Sequence, residues 1–95
     1  MQIQWDEDKN ISNLSKHGLT FEIAKLVFED QHSVSTQDRF VDGEERWQTV
    51  GLVNGVALLL VAHTWREDDD EVHIRMISAR KATAHERKSY ENGNT

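Results

Sequence analysis

Three stretches of the sequence combine titratable and hydrogen-bonding side chains of the types that catalytic sites use. They are Lys16-His17-Gly18, His63-Thr64-Trp65-Arg66 and the residues from Arg75 to Lys81. Histidine exchanges protons near neutral pH, and arginine is a planar, permanently charged donor that matches the oxygens of a phosphate. The three stretches therefore have the residue types needed for acid–base chemistry on a phosphate ester.

The third stretch has the alternation of a β-strand. Side chains on a strand point alternately to opposite faces, so His73 and Arg75 share one face while Ile74 points to the other. If Ile74 packs under helices, Arg75 is left on the open face of the sheet. We expect Arg66 and Arg80 to converge with it there and to bind a phosphate.

Such a set of arginines suits ribonuclease chemistry without a metal ion. Attack by a ribose 2′-hydroxyl requires a proton acceptor, a proton donor for the leaving oxygen, and cations for the charge that develops on phosphorus. Histidine suits the first two tasks and arginine suits the third. The acidic run 67–71 lacks the glycine and ligand spacing of a calcium loop, and no two histidines have the helical spacing of a zinc site. We expect no metal and no cofactor.

Each candidate also has a structural interpretation. His17 precedes a helix-ending glycine and could interact with the last helical carbonyls. His63 could be a hydrogen-bonded histidine inside an apolar strand, and Arg66 could pair with Glu67. Tyr90 also suits the packing of a helix. We expect the three tryptophans to lie in the core rather than to stack on bases: Trp5, Trp47 and Trp65.

Composition excludes several classes of protein. The 95 residues fit one domain, which we place at 1–91 with a flexible tail at 92–95. The absence of cysteine excludes disulfide scaffolds and thiol nucleophiles. The longest apolar run, Val56 to Ala62, is too short to cross a bilayer, so we expect a cytoplasmic protein with no membrane role.

Charge is unevenly distributed along the chain. The net charge of −6 argues against a polyanionic ligand. However, residues 1–71 carry six cations and fifteen carboxylates, whereas residues 72–95 carry five cations and two carboxylates. A local basic site in the second part can still hold a phosphate. Arg80 and Lys81 just precede the last predicted helix, where the positive end of the helix favours an anion partner.

Apolar spacing predicts a strand and two helices in the first third of the chain. A short strand at 3–5 precedes a helix over 7–16, with Ile11 and Leu14 as its apolar contacts. A second helix extends over 20–29.

The sequence after residue 29 predicts strands joined by turns, followed by one helix. Residues 30–45 are polar and predict mostly irregular chain with one short strand around 33–37. Asn54-Gly55 is a strong hairpin signal that precedes a central strand over 56–65. Further elements are a solvated turn at 67–71, a strand at 72–78 and a helix at 84–91 that follows a Thr83/Glu86 capping box. The order predicts an α+β fold, with N-terminal helices on one face of an antiparallel sheet and a short C-terminal helix.

Nearly the whole chain, about residues 3–90, resembles the BrnT toxin family. The opening signature is carried by Trp5-Asp6, Lys9, Asn13, Lys16-His17-Gly18 and Phe21, extended by Ala24 and Val27-Phe28. Glu45-Arg46 and Gly51 follow in the middle. The closing signature is carried by Arg75, Ile77-Ser78-Ala79-Arg80-Lys81-Ala82, Glu86-Arg87 and Tyr90.

The resemblance implies a small RelE-like domain and an endoribonuclease toxin of a type II toxin–antitoxin pair, which cleaves RNA to inhibit translation and growth. It also implies a BrnA-like antitoxin that neutralises the toxin in a heterotetramer. The ribbon-helix-helix part of that antitoxin would bind operator DNA, so the toxin itself would not contact DNA.

The resemblance and the residue types together define the predicted site. We predict catalytic roles for six residues: Lys16, His17, Arg66, Arg75, Arg80 and Tyr90. We predict substrate binding by three more: Arg46, His63 and Lys81. In this scheme the arginines neutralise the phosphate, Lys16 or His17 handles protons near the 2′-hydroxyl, and Tyr90 is a supporting donor.

Two other functions remain open at this point. A catalytically weak or inactive module could bind an antitoxin and act only in transcriptional autoregulation. The net charge of −6 and the acidic turn Asp68-Asp69-Asp70 beside the predicted site favour it, because both repel phosphate. A metal-dependent nuclease is the third possibility, and it would lose its activity in the presence of a chelator.

Overall fold

The computed structural model describes residues 1–93, which form a mixed six-stranded sheet with helices on both faces. The elements in chain order are β1 (Gln2–Trp5), α1 (Glu7–His17), α2 (Phe21–Ala24), a 3₁₀ segment (Lys25–Glu29), β2 (Val34–Val41), β3 (Glu44–Val53), β4 (Ala57–Thr64), β5 (Arg66–Asp68), β6 (Glu71–Lys81) and α3 (Ala84–Glu91). The strand order is β1-β6-β4-β3-β2, and β5 also pairs with β6. The α+β prediction is confirmed, with one difference: β1 pairs with β6 in parallel, while the other pairings are antiparallel.

The main core lies between the sheet and the segment formed by α2 and the 3₁₀ turn. Phe21 and Val27 are fully buried against β4 and β6, where Val61 and Ile74 are also fully buried. Close approach of the 3₁₀ turn to the sheet requires Gly51, since a Cβ there would lie 2.8 Å from the Cβ of Val27. Burial of these side chains supplies the hydrophobic stabilisation of this face.

Helix α1 docks through amides rather than through the predicted apolar contacts. Ile11 and Leu14 are 61% and 49% exposed, so the prediction that they face the core is wrong. Asn10 and Asn13 are buried instead. The Asn13 side chain donates to the carbonyl of Ala79 (2.9 Å) and accepts from its N–H (3.0 Å). It thereby satisfies the backbone of β6 beyond the end of β1, at an edge with which no strand of residues 1–93 pairs.

The prediction of mostly irregular chain over 30–45 is wrong. Strand β2 covers Val34–Val41 and pairs with β3 through a tight turn at Asp42-Gly43, where both residues have positive φ. Because β2 is an edge strand and its residues are largely exposed, it has no apolar alternation to reveal it. The turn at Asn54-Gly55 and the central position of β4 are as predicted.

The C-terminal helix matches the prediction in both its bounds and its cap. Thr83 and Glu86 form the capping box at the start of α3, and Tyr90 packs on a small second core of Val50, Leu58 and Leu60. Beyond the helix, the N–H groups of Asn92 and Gly93 donate to the last turn. The rest of the predicted flexible tail, 94–95, lies outside the described residues. No helix in the described part of the chain is long and apolar enough to span a membrane.

Candidate active site

A cleft of about 280 Å³ opens at the end of the sheet where β3 begins and β4 passes into β5. It is lined by Gln4, Gly43, Glu44, Glu45, Thr64, Trp65, Arg66, His73, Ile74 and Arg75. We call it the arginine cleft. The strand register explains its composition, because Gln4 lies opposite Arg75 and Arg66 lies opposite His73.

Glu44 is the focus of the positive charges at this cleft. Arg75 donates two hydrogen bonds to its carboxylate, from Nη2 to Oε1 at 2.8 Å and from Nη1 to Oε2 at 3.2 Å. The Arg46 Nη2 atom lies 3.9 Å from the same carboxylate. The hydrogen bonds from Arg75 lower the pKa of Glu44, and the charges of Arg46 and Arg66 add to this effect. The guanidinium groups thus already hold a planar anion with two oxygens.

Several polar residues of the cleft were not among the predicted site residues: Gln4, Glu44, Glu45, Thr64 and His73. Thr64 is buried, and its hydroxyl accepts the backbone N–H of Arg75 at 3.1 Å, which fixes the strand that carries the guanidinium. His73 lines the cleft beside Arg66. Its position on the same face as Arg75 follows from strand alternation, so the signal for His73 was present in the sequence.

The predicted convergence of three arginines is only partly correct. Arg66 and Arg75 line the same cleft, but Arg80 lies farther along β6, opposite Leu60. Arg80 donates to both oxygens of Glu86 at 2.8 and 2.9 Å and also to the carbonyl of Lys81 at 3.1 Å. Since Leu60 is four residues from Thr64, the two sites are separated by roughly 13 Å along the strand. The anion beside Arg80 is therefore a carboxylate of α3.

Glu86 forms hydrogen bonds with both Arg80 and Thr83. The Arg80 hydrogen bonds, together with those from Thr83, lower the pKa of Glu86 to about 2 against the opposing effect of burial. Lys81, at the end of β6, is exposed and lies outside the lining of the arginine cleft.

Lys16 and His17 lie in a different groove, at the last turn of α1. That groove has a volume of about 260 Å³ and is lined by Lys9, Ser12, Asn13, Lys16, His17, Ile77 and Ser78. It shares no lining residue with the arginine cleft. Within residues 1–93, neither Lys9 nor Lys16 forms an ion pair.

Tyr90 faces Asp30 rather than the arginine cleft. Its hydroxyl donates to Oδ2 of Asp30 at 2.5 Å, and the same oxygen accepts the N–H of Leu52 at 2.8 Å. The bond to the carboxylate, together with burial, raises the pKa of Tyr90 to about 12. Burial opposes ionisation of Asp30, but the hydrogen bonds from Leu52, Tyr90 and His32 lower its pKa overall. This contact fastens α3 to the rest of the fold.

His63 lies in the core, so its predicted place among the substrate-binding residues is corrected. The side chain is fully buried. Its Nε2 is 2.7 Å from the Thr49 hydroxyl, and its Nδ1 is 2.8 Å from the Thr64 carbonyl. Desolvation lowers the pKa of His63, which favours a neutral ring at pH 7. The structural interpretation of this histidine is the correct one.

No group of three or more histidine, cysteine, aspartate or glutamate side chains within the described residues is placed to hold a metal ion. The chemistry that the arginine cleft can perform is the binding of an oxyanion between guanidinium groups. The carboxylate of Glu44 and the imidazole of His73 line the same cleft.

Comparison with known proteins identifies the family. Residues 5–86 match the family described as the ribonuclease toxin, BrnT, of type II toxin–antitoxin systems. The crystal structure of the Brucella abortus ribonuclease toxin BrnT is similar, with 32% sequence identity, a TM-score of 0.63, and coverage of 87% of this chain and 97% of that one. No curated protein matches the chain. The chain belongs to the BrnT family of ribonuclease toxins of type II toxin–antitoxin systems.

Proposed function

We propose that the chain is a metal-independent endoribonuclease that binds the scissile phosphate of RNA in the arginine cleft. One observation carries the proposal: Arg75 holds the Glu44 carboxylate through two hydrogen bonds, with Arg46 and Arg66 beside it. A phosphate also presents two oxygens to a guanidinium fork. An RNA phosphate can therefore take the position of the carboxylate, and the arginines then neutralise the phosphorane.

In this mechanism Glu44 is the proton acceptor. When phosphate engages Arg75, Glu44 loses the contact that lowers its pKa and becomes a stronger base. It accepts the proton of the ribose 2′-hydroxyl as the 2′-oxygen forms a bond to phosphorus. The bond from phosphorus to the 5′-oxygen breaks, and His73 donates a proton to that oxygen. The products are a 2′,3′-cyclic phosphate and a 5′-hydroxyl.

The other residues of the predicted site have roles outside the chemical step in this proposal. Lys16 and His17, with Lys9, bind a phosphate that flanks the scissile one, because their groove also borders β6, at Ile77 and Ser78. Arg80 and Tyr90 hold α3 in place. Lys81 is an exposed cation at the end of the same strand and adds to the attraction for RNA.

The partner in this proposal is a BrnA-like antitoxin with a ribbon-helix-helix part, bound to the toxin in a heterotetramer in the cytoplasm. Operator DNA is contacted only by the antitoxin. Membership of a type II toxin family supports the antitoxin.

Cleavage of RNA in excess chelator tests the proposal. The purified parent protein should cleave, and Arg75→Ala should be slower by about 10²- to 10³-fold, as for the loss of one transition-state donor. Arg39→Ala is the matched control, because Arg39 is an exposed arginine on β2 outside the cleft. Loss of parent cleavage with chelator and its return with Mg²⁺ would contradict the metal-free mechanism.

A second candidate function is an antitoxin-binding module without catalysis, acting in autoregulation. It is favoured by the exposed acidic residues of β5 and the following turn, Glu67 to Asp70, which directly follow Arg66. Their charges oppose the approach of RNA. In that case the parent would leave RNA intact under all conditions, and Arg75→Ala would reduce only the affinity for the antitoxin.

A further inference from the structure

A groove of about 490 Å³ that is lined by aromatic and acidic side chains, rather than by arginines, lies at the same end of the sheet as the arginine cleft. It is lined by Ser35, Glu45, Trp47, Trp65 and Glu67, and we call it the tryptophan groove. The sequence predicted core positions for these two tryptophans, but both are only half-buried. Their ring centroids are 6.0 Å apart and the planes are inclined by 45°. The groove therefore offers indole surface to a planar ligand.

The two carboxylates of the groove stand at the polar edges of the indoles. The Nε1 atom of Trp47 is 3.5 Å from Oε2 of Glu45, and the Nε1 atom of Trp65 is 3.4 Å from Oε1 of Glu67. Oε1 of Glu45 also accepts from Nε2 of Gln37 at 3.4 Å. All three hydrogen bonds are long, so the carboxylates keep acceptor capacity for a ligand. No lysine or arginine lines the groove. A phosphate is disfavoured there, whereas a ligand with N–H donors is favoured.

The groove and the arginine cleft lie on opposite faces of the sheet and meet at its end, because Glu45 and Trp47 alternate along β3 with Glu44 and Arg46. Glu45 and Trp65 line both of them. An RNA strand whose phosphate lies in the cleft can pass around this end of the sheet and place a neighbouring unpaired base in the groove. Single-stranded RNA is recognised in this way, by stacking of an unpaired base on aromatic rings and by hydrogen bonds to the edge of the base.

We propose that the tryptophan groove binds a guanine base of the RNA whose scissile phosphate occupies the arginine cleft. The inference rests on the proposed function and adds a base preference to it. Guanine is favoured because it presents two neighbouring donors, N1–H and N2–H, which match the two oxygens of one carboxylate. Adenine and cytosine present one amino group, and uracil presents one N–H between two carbonyls that the glutamates repel.

The first test measures cleavage of RNA oligonucleotides that differ in one central base. The parent should cleave the guanine substrate at least about tenfold faster than the uracil substrate. Glu67→Gln should still cleave, with the preference reduced to about threefold or less. Glu91→Gln, an exposed glutamate of α3, is the control and should keep the preference. Equal cleavage of the four substrates by the parent, or an unchanged preference in Glu67→Gln, would overturn the inference.

The second test measures binding without cleavage, through indole fluorescence. Trp5→Phe leaves only the two groove tryptophans as emitters. Guanosine monophosphate should quench the emission at lower concentration than uridine monophosphate, and Glu67→Gln should remove that difference. Quenching by arginine amide but by neither nucleotide would overturn the inference and indicate a cationic side chain of a protein partner.

The two tests separate the base site from the proposed function. Selective quenching by guanosine monophosphate with no RNA cleavage would mean that the proposed function fails while the base site stands. Cleavage without base preference and without nucleotide quenching would mean that the proposed function stands while the base site fails.

Discussion

Two arginine–glutamate pairs on β6 have nearly the same geometry but different surroundings. Arg75 with Glu44 and Arg80 with Glu86 are both held by two hydrogen bonds, with shortest distances of 2.8 Å. Glu86 is 22% exposed, and it also accepts the backbone N–H of Thr83. Glu44 is 44% exposed, and within residues 1–93 its carboxylate contacts only arginines. The first pair is open to exchange of its anion, whereas the second is part of a helix cap.

The difference shows that ion-pair geometry alone does not distinguish a site from a structural contact. Release of Glu86 would break the capping box and leave the start of α3 unsatisfied. Release of Glu44 breaks only its contacts with arginine, and an incoming phosphate restores them. The number of other bonds that the carboxylate makes therefore decides which arginine is available to a substrate.

The largest expected effect is on catalysis, at Glu44. Glu44→Gln removes the proton acceptor but keeps the shape of the side chain, so cleavage should slow by about 10²- to 10⁴-fold. Because a negative charge is removed from the cleft, affinity for an uncleavable 2′-deoxy oligonucleotide should stay equal or increase. Cleavage rates and fluorescence anisotropy measure the two effects. Unchanged cleavage would assign the proton transfer to another residue.

A smaller effect is expected on stability, at Glu86. Glu86→Gln weakens both the pair with Arg80 and the capping box, so the free energy of unfolding should fall by about 1–2 kcal/mol. Urea denaturation measures this change. Glu91→Gln, in the same helix, is the control and should alter the free energy by less than about 0.5 kcal/mol. An equal effect of the two substitutions would remove the distinction between the two arginine–glutamate pairs.

The pH dependence of stability sharpens the same distinction. The pKa of Glu86 is lowered from 4.5 to about 2 in the folded protein, so its contribution is fully present above pH 4.5 and is lost as the pH falls towards 2. Unfolding free energies of Glu86→Gln and the parent should therefore converge over that range. A difference that stays constant from pH 6 to pH 2.5 would contradict this account.

The smallest effect on stability is expected at the hydrogen bond between Tyr90 of α3 and Asp30. Tyr90→Phe removes the hydrogen bond to Asp30 but keeps the ring on the second core, so the free energy of unfolding should fall by about 1 kcal/mol. RNA cleavage by the folded protein should change less than about threefold. Thermal unfolding and cleavage of the same preparation measure both. A loss of cleavage comparable to that of Glu44→Gln would return Tyr90 to the catalytic group.

The sequence predicts the local contacts of the fold and misses those that depend on strand register. The Thr83/Glu86 cap and the Asn54-Gly55 turn need only neighbouring residues, and both were predicted. Glu44 reaches Arg75 because two hairpins bring residues 31 positions apart together. That register could not be predicted while residues 44–45, where β3 begins, were interpreted as irregular chain.

Helix α1 illustrates a second limit of prediction from sequence. Its apolar residues Ile11 and Leu14 are exposed, while two asparagines face the sheet. Periodicity of apolar residues locates a buried face only where burial is driven by hydrophobic contact. Here the helix is held by amide hydrogen bonds to the backbone of β6.

The central claim is that Arg75 contacts the scissile phosphate while Arg80 holds α3, and one measurement compares them directly. Arg75→Lys and Arg80→Lys both keep the positive charge but lose the planar fork. The rate of RNA cleavage is measured for each in excess chelator and corrected for the folded fraction by circular dichroism. We predict that Arg75→Lys cleaves at least about a hundredfold more slowly than the parent, while Arg80→Lys stays within about threefold of it. The opposite order would contradict the account.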